Sequence, residues 1–274
     1  MRWRQFIFVF FPVVLILFCW GFFIEPSLLK QRHEALDSWS GPPMRIAFLS
    51  DLHAGAPFIK SDYIRSLVER INAFNPDLIL MGGDYVITNV VGGHPMPAKE
   101  MADLLAGLHA RYGKYAVLGN HDWWFGGEEV QAALEGAGFR IVTNQGVKLE
   151  PVSGKPFWLV GVGDDFTRRA DLTASFSGVN TEDPRIVFMH DPGIFTEQKG
   201  SPFFVALAGH THGGQVYLPV VGAPIVTGRT PRAWAKGWIP LEMGRLFVTT
   251  GIGTTILPVR FNSPPEFLIL DLKP

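Results

Sequence analysis

Two histidines one residue apart, His210 and His212, lie between an apolar run and two glycines in Ala208-Gly209-His210-Thr211-His212-Gly213-Gly214-Gln215. In an extended segment the side chains at i and i+2 point the same way, so both imidazoles can face one point. Glycines beside them let the backbone turn tightly and let another group come close. The stretch reads as half of a metal site. A lone His-x-His is weak evidence, because buried histidines satisfied by a carbonyl are common, but here the design recurs. Arg45-Ile46-Ala47-Phe48-Leu49-Ser50 runs into Asp51-Leu52-His53, and Leu78-Ile79-Leu80-Met81 into Gly82-Gly83-Asp84. Tyr115-Ala116-Val117-Leu118 runs into Gly119-Asn120-His121-Asp122, Ile186-Val187-Phe188-Met189 into His190-Asp191, and Phe203-Phe204-Val205-Ala206-Leu207 leads to His210. Five short apolar runs thus stop at residues able to bind a metal.

Such residues need strands to carry them and helices to return the chain. Ile64, Leu67, Val68, Ile71 and Phe74 recur at spacings of three and four, which predicts a helix from Asp62 to Phe74 with one buried face. Pro97 to Ala110 repeats the pattern through Met101, Leu104, Leu105 and Leu108, and Gly127 to Ala137 reads as a third helix. Strand and helix alternate from 45 to 118, which implies β-α-β units and a partly parallel sheet. Phe157 to Val162, Ile186 to Met189, Phe203 to Ala208, Arg245 to Thr250 and Glu266 to Leu272 are further strand candidates with few helices between them. The expected fold class is α/β (α+β), two packed mixed β-sheets flanked by helices. In open α/β sheets, ligands gather beyond the carboxyl ends of strands, where these five runs stop.

Asp51-x-His53, Gly83-Asp84, Gly119-Asn120-His121-Asp122, His190 and Gly209-His210-x-His212 resemble, in order and approximate spacing, the motifs of the calcineurin-like metallophosphoesterases, over residues 45 to 272. The longer forms Gly209-His210-Thr211-His212-Gly213-Gly214-Gln215 and Arg260-Phe261-Asn262-Ser263-Pro264-Pro265-Glu266 are similar to the membrane-associated bacterial branch, which holds phosphodiesterases and enzymes cleaving UDP-2,3-diacylglucosamine on the route to lipid A. The resemblance implies a metallophosphoesterase sandwich with a two-metal site. Asp51, His53 and His212 would hold the first ion, Asn120, His190 and His210 the second, and the Asp84 carboxylate would bridge both. Oxygen and nitrogen donors without sulfur suit Mn²⁺, with Fe or Zn²⁺ as alternatives. Two cations about 4 Å apart share a hydroxide, polarise the phosphoryl oxygens and stabilise in-line attack. His121 is the candidate for protonating the leaving oxygen, and Asp122 for orienting it. Two departures from many relatives touch supporting residues: Ile87 stands where an acid often follows the bridging Asp, and Asp122 where Glu is common.

The remaining chain bears on where this chemistry happens. With 24 Lys and Arg against 25 Asp and Glu, a nucleic-acid partner is not expected, since such proteins carry clustered basic surface. Phe6 to Ile24 are nineteen apolar residues, counting Pro12 and Gly21. As a helix they would extend about 28 Å, close to the roughly 30 Å hydrocarbon core. Ile24-Glu25-Pro26 lacks the small-x-small site of a cleaved secretory signal, so an uncleaved transmembrane helix is expected. Arg2 and Arg4 ahead of it favour a cytoplasmic amino terminus and an extracytoplasmic domain on the inner membrane, a bias blunted by Lys30, Arg32 and Arg45. Cys19, the sole cysteine, excludes an intramolecular disulfide. The expected organisation is an anchor at 1–25, a polar juxtamembrane stem at 26–43 ending in Gly41-Pro42-Pro43, and the hydrolase domain at 44–274.

Other residues carry weaker expectations. His33, His94 and His109 read as surface or core residues, and Asp164-Asp165 as a solvated turn that can also line the cleft. Trp123-Trp124-Phe125 reads as core, or as a contact for an acyl chain or the bilayer interface. Arg229, Arg232 and Lys236 suit a solvated loop or the capture of lipid headgroups or a diphosphate. Gly92-Gly93-His94-Pro95 reads as a mobile loop at the cleft edge. Together these residues imply a membrane-anchored, di-metal phosphoester hydrolase of phosphodiesterase or pyrophosphatase type whose substrate can be lipid-linked. UDP-2,3-diacylglucosamine hydrolysis is the narrower alternative, a non-catalytic metal-binding scaffold the alternative of another class, and a nuclease is disfavoured by the balanced charge.

Overall fold

Runs that are apolar at every position, not at alternate ones, must be covered on both faces. The computed structural model, which describes residues 2–152, 154–198 and 200–274 and only the backbone at 2–10 and 56, shows how. In chain order the elements are α1 (Arg2–Cys19), β1 (Lys30–Leu36), β2 (Met44–Leu49), β3 (Gly55–Ala56), α2 (Ser61–Asn72), β4 (Leu78–Met81), β5 (His94–Pro95), α3 (Ala98–Leu105), β6 (Lys114–Ala116), α4 (Asn120–Gly136) and β7 (Arg140–Ile141). The second half holds β8 (Gln145–Leu149), β9 (Phe157–Gly161), α5 (Leu172–Ser175), β10 (Arg185–Phe188), β11 (Val205–Ala208), β12 (Gly237–Leu241), β13 (Gly244–Val248) and β14 (Glu266–Leu272).

Two six-stranded mixed sheets result, ordered β1-β14-β2-β4-β6-β7 and β12-β13-β11-β10-β9-β8. In the first, β2, β4, β6 and β7 run parallel; in the second, β9, β10, β11 and β13 do. Side chains alternate across each strand and fill separate layers. Ile46 and Phe48 of β2 meet Ile186 and Phe188 of β10 between the sheets. Ala47 and Leu49 face the other way, onto Ile64, Leu67, Met101, Leu105, Val130 and Leu134 of α2, α3 and α4. Val187, Ala206 and Val248 face outward from the second sheet, where Leu172, Ile194 and Phe195 cover them. The expected two-sheet architecture and the expected helices thus form, with α4 starting seven residues earlier than its periodicity marks because Gly126, at φ 148°, bends it into two segments.

Residues 26–43 depart from expectation. They do not stand apart as a stem, since Lys30–Leu36 pairs in parallel with all seven residues of β14. Beyond it Trp39 is buried between the sheets, its ring 6.0 Å from Phe157 and 5.0 Å from Phe204, and its Nε1 donates to Pro42 O at 2.8 Å. The folded unit therefore begins at about Lys30 and not at Met44. The strand escaped its sequence because it is an edge strand, where charged residues such as Lys30, Arg32 and Glu34 belong. The Gly92–Pro95 loop likewise ends in a short pairing, His94–Pro95 against Gly55–Ala56.

The apolar run at 6–24 is not one helix either. α1 ends at Cys19 and gives way to a π-helical turn, Trp20–Ile24, then a 3₁₀ turn, Glu25–Ser27. Among the described residues no helix is long and apolar enough to cross a membrane. The side chains of Arg2, Arg4 and Phe6 to Phe10, on which the expected span and its orientation partly rest, lie outside the described residues. The foot of this helical segment is docked on the domain. Arg260 N donates to Gly21 O at 2.9 Å, Glu25 Oε1 accepts from Ser263 N at 2.6 Å, and Glu25 Oε2 accepts from Trp20 Nε1 at 2.6 Å.

Because Trp39 fills the space between the sheets, Trp39→Ala should lower the unfolding free energy by about 3–5 kcal/mol. Urea denaturation measures this. A cost below about 1 kcal/mol would return the segment to a stem outside the core.

Candidate metal centre

The residues singled out at strand ends converge on one face. Asp51 and His53 follow β2, Asp84 follows β4, Asn120 opens α4 just after β6, His190 follows β10, and His210 and His212 follow β11. All seven are buried. Asp51, His53 and His212 form one cluster able to hold an ion; Asp84, His190 and His210 form a second; His53, Asp84 and His121 a third. Asp84 Oδ2 stands between the first two, 3.6 Å from His53 Nε2 and 3.2 Å from His190 Nε2. His53 Nε2 is 3.1 Å from His212 Nε2, His190 Nε2 is 3.1 Å from His210 Nδ1, and Asn120 Oδ1 is 3.2 Å from His190 Nε2.

This packing is costly and is held by local means. Asp51, His53, Asp84, His210 and His212 all have positive φ, between 47° and 69°. Such conformations cost non-glycine residues on the order of 1 kcal/mol or more and persist where the surroundings enforce them, commonly at functional sites. Two glycines permit the close approach. A Cβ at Gly119 would lie 2.3 Å from Asp84 Oδ1, and one at Gly209 would lie 2.3 Å from Asp51 Oδ2. Asp51 accepts from His210 N at 3.0 Å, which joins the end of β2 to the His-x-His turn. His190 Nδ1 donates to Gly82 O at 2.8 Å, which fixes the tautomer and leaves Nε2 free to bind a cation.

The electrostatics fit a cation site. Burial pushes the His53 imidazole down to about 3 and His212 well below its usual value, the charges of neighbouring imidazoles adding to this. His190 moves the other way. Burial opposes its charge, but Asp84, which is hydrogen-bonded to it, and then Asp51 and Asp164 raise it well above the ordinary histidine range. Asp84 is correspondingly held well below the carboxylate range by His190, His121 and His53 against the cost of burial. The carboxylates of Asp84, Asp51 and Asp164 thus favour positive charge at His190, where a cation would sit. Ring nitrogens facing one another at 3.1 Å, with carboxylate and amide oxygens beside them and no sulfur, match the oxygen and nitrogen donor sets of Mn²⁺, Fe or Zn²⁺.

His121 and Asp122 are present at the site but divided in role. The His121 ring edges the cleft, 4.8 Å from His53 and 5.0 Å from Trp124; its Nδ1 pairs with Thr88 Oγ1 and its Nε2 is 3.3 Å from Thr255 Oγ1. Burial lowers its pKa. Asp122 does not touch the His121 ring. Its Oδ2 accepts from Asp84 N at 2.8 Å and Gly119 N at 2.9 Å, and its Oδ1 from Tyr85 N at 2.8 Å. Burial and the Asp84 charge push Asp122 up to about 7, against the amides of Gly119 and Tyr85. Asp122 therefore caps α4 and braces the Asp84 turn, which corrects the expectation that it orients His121.

Other expectations shift too. Asp164 and Asp165 are buried; Asp164 accepts from Thr167 N at 2.8 Å and Asp165 pairs with Arg229. Arg229 also pairs with Glu197, Arg232 Nε donates to Ala223 O at 2.6 Å, and Lys236 Nζ donates to Asn262 O at 2.7 Å. These three cations are engaged within the fold and do not form a free anion cluster. Trp124 is half exposed at the rim, where it meets Phe166 at 5.8 Å, whereas Trp123 lies under the Arg169 guanidinium at 3.9 Å. His33 packs on Phe74 at 5.0 Å, and His94 and His109 are exposed away from the centre. Thr88, Thr227 and Thr255, which touch the site histidines, carry no mark in the sequence. Arg260 does, within its motif: its guanidinium is wholly buried and donates to the carbonyls of Thr250, Gly251, Gly253 and Ser263.

Fold and site together define a metallophosphoesterase. The calcineurin-like phosphoesterase family matches residues 44–214, and the chain belongs to that family, which makes it a metal-dependent phosphoester hydrolase. It is 28% identical over 256 residues to the uncharacterized metallophosphoesterase YkuE of Bacillus subtilis, covering 92% of this chain and 88% of that one. It is 30% identical to phosphodiesterase YaeI of Escherichia coli, over 91% of this chain and 90% of YaeI. To the UDP-2,3-diacylglucosamine pyrophosphatase LpxG of Chlamydia muridarum it is 26% identical, over 92% of this chain and 91% of LpxG.

Because Asp84 and Asp51 raise His190 well above the ordinary histidine range and a ring nitrogen that binds a cation must give up its proton, metal binding should release protons from it. Calorimetric titration with Mn²⁺ in buffers of differing ionisation enthalpy measures the release, which should fall as pH rises through the His190 value. Binding with no proton release would contradict this charge assignment.

Proposed function

We propose that the chain is a membrane-attached phosphoester hydrolase of phosphodiesterase or diphosphatase type, working with two divalent ions, Mn²⁺ foremost. The observation that carries this reading is the Asp84 carboxylate set between two groups of buried nitrogen and oxygen donors. Asp51, His53 and His212 would hold one ion, Asn120, His190 and His210 the other, and Asp84 both. Bound ions of this kind act as Lewis acids on the phosphoryl oxygens and activate water near neutral pH.

The chain's own residues do the rest. The cleft above the centre, about 220 Å³, is lined by Asn89, His121, Trp124, Phe166 and Thr227 together with the donor side chains. Trp124 and Phe166 shelter the reacting group from bulk water, which strengthens every electrostatic interaction inside. Thr88 holds the His121 ring so that Nε2 faces the cleft, from which it can pass a proton to the leaving oxygen. Burial lowers the His121 pKa, which makes its protonated form a stronger acid but a scarcer one as pH rises, so turnover that depends on it should fall with rising pH.

Membrane attachment is supported by the exposed apolar side chains Phe11 to Phe18 of α1, which continue the apolar stretch 6–24. Arg2 and Arg4 favour an extracytoplasmic position for the domain on the inner membrane. Similarity to LpxG supports a second reading, cleavage of the diphosphate in UDP-2,3-diacylglucosamine within lipid metabolism. That substrate is cytosolic, so activity of a carboxyl-terminal reporter fusion only when exported would oppose it.

Hydrolysis of bis(nitrophenyl) phosphate by the full chain should require Mn²⁺ and stop with chelator. His121→Ala should lower kcat by about 10²–10⁴ while both ions stay bound. Unchanged turnover in His121→Ala would remove this residue from the chemistry, and two bound ions without turnover of any phosphoester would favour a non-catalytic scaffold.

A further inference from the structure

The cleft does not end at the metal centre. It opens into an apolar groove of about 320 Å³, with which it shares His210, His212, Thr227, Thr255 and Ile256, so the two form one depression. Away from the shared residues the groove is walled by Val216, Ile225, Val226, Leu257 and Val259. Gln215 lies at its base, but its polar atoms are already used. Its Nε2 donates to Thr255 O at 3.0 Å and its Oε1 accepts from Thr255 N at 2.7 Å, pinning the 255–257 loop to the His-x-His turn. The surface offered is therefore aliphatic. Ile225 is 75% exposed, Ile256 60% and Leu257 46%. Apolar side chains grouped in water beside a reaction centre mark a binding surface more often than an accident of folding.

The far end of the groove has a direction. Val259 lies beside the foot of the apolar N-terminal segment, where a Cβ on Gly21 would be 3.3 Å from Val259 Cγ2 and Arg260 N donates to Gly21 O at 2.9 Å. The groove thus runs from the metal centre toward the place where the exposed apolar helix leaves the domain. A sugar or nucleobase lying there would leave its polar groups unpaired against Ile225, Val226 and Leu257. The aromatic residues Trp124 and Phe166, which suit stacking, line the cleft and not the groove.

We propose that this groove binds the hydrocarbon chain of the substrate, an alkyl or acyl group attached through the phosphoester whose phosphorus sits at the metal centre. The proposal rests on the hydrolase reading above and specifies its substrate class. Burying one methylene corresponds to about fourfold in an equilibrium or specificity constant, so chain length is the direct readout.

Full-length protein, in one non-ionic detergent at fixed concentration, would be assayed on nitrophenyl alkyl phosphates from methyl to octyl. Alkyl phosphonates of the same lengths, which are not turned over, would be titrated calorimetrically. We expect kcat/KM and phosphonate affinity to rise by up to about fourfold per methylene. Ile225→Asn and Leu257→Asn, each normalised to its own methyl compound, should flatten both slopes, while Val152→Ser, a remote exposed position, should keep them. Slopes that are flat in the wild type, or equally steep in both groove variants, would overturn the proposal. Absence of turnover for every ester would strike the hydrolase reading alone, because phosphonate affinity still decides the groove.

Discussion

The structure depends on keeping the Asp84 carboxylate dry between two groups of imidazoles. Isolated burial of a charge costs several kcal/mol, and the cost is borne only where opposite charge stands close. Here His190 lies 3.2 Å away and His53 3.6 Å, and in the working protein two cations would share that role. The rest of the fold reads as the means of achieving this convergence. Parallel strands from both sheets end on the same face, five donor residues accept left-handed backbone conformations, and Gly119 and Gly209 let carboxylates approach where any Cβ would collide. Asp122 ties the Asp84 turn to the start of α4 through backbone amides, so the Asp84 carboxylate is anchored to a helix as well as to a strand.

A second support reaches the centre from the opposite side. Gly251 and Gly253 lie against Asp51 and His53, and Gly253 N donates to Asp51 O at 2.6 Å. The carbonyls of Thr250, Gly251 and Gly253 are gathered by the Arg260 guanidinium, and burial lowers Arg260 to about 10, which leaves it charged at neutral pH. Arg260 N and Ser263 N in turn hold Gly21 and Glu25. The loop that braces the first group of donors is therefore the loop on which the N-terminal segment docks.

Much of this was legible in the sequence because the constraint acts locally. A strand buried on both faces must be uniformly apolar, and its end must be polar if it carries a ligand, so apolar runs stopping at Asp51, Asp84, Asn120, His190 and His210 disclosed both strands and site. What depends on contacts between distant segments left no such mark. β1 shows the polarity of an edge strand, which in sequence reads as a stem; β8, also at an edge, has no continuous apolar run, and β12 carries Pro240, which reads against a strand. Asp122 follows His121 in sequence, but the α4 turn carries its carboxylate away from the ring and onto the Asp84 amides. Arg229 is distant in sequence from Asp165 and Glu197, so its pairing could not be read from its neighbours. Nineteen apolar residues read as one helix, whereas the chain takes a π-helical turn after Cys19, and within that turn Gly21 O accepts from Arg260 N, a distant contact with no mark in the sequence.

The central claim, two cations joined by one carboxylate, is tested most directly by counting ions. Full-length protein loaded with Mn²⁺, freed of excess metal and analysed by elemental mass spectrometry, should hold two ions per chain. Asp84→Asn should retain fewer than one, because both sites lose their shared charged ligand. Two ions per chain in Asp84→Asn, or a single ion in the wild type at saturating Mn²⁺, would contradict the account.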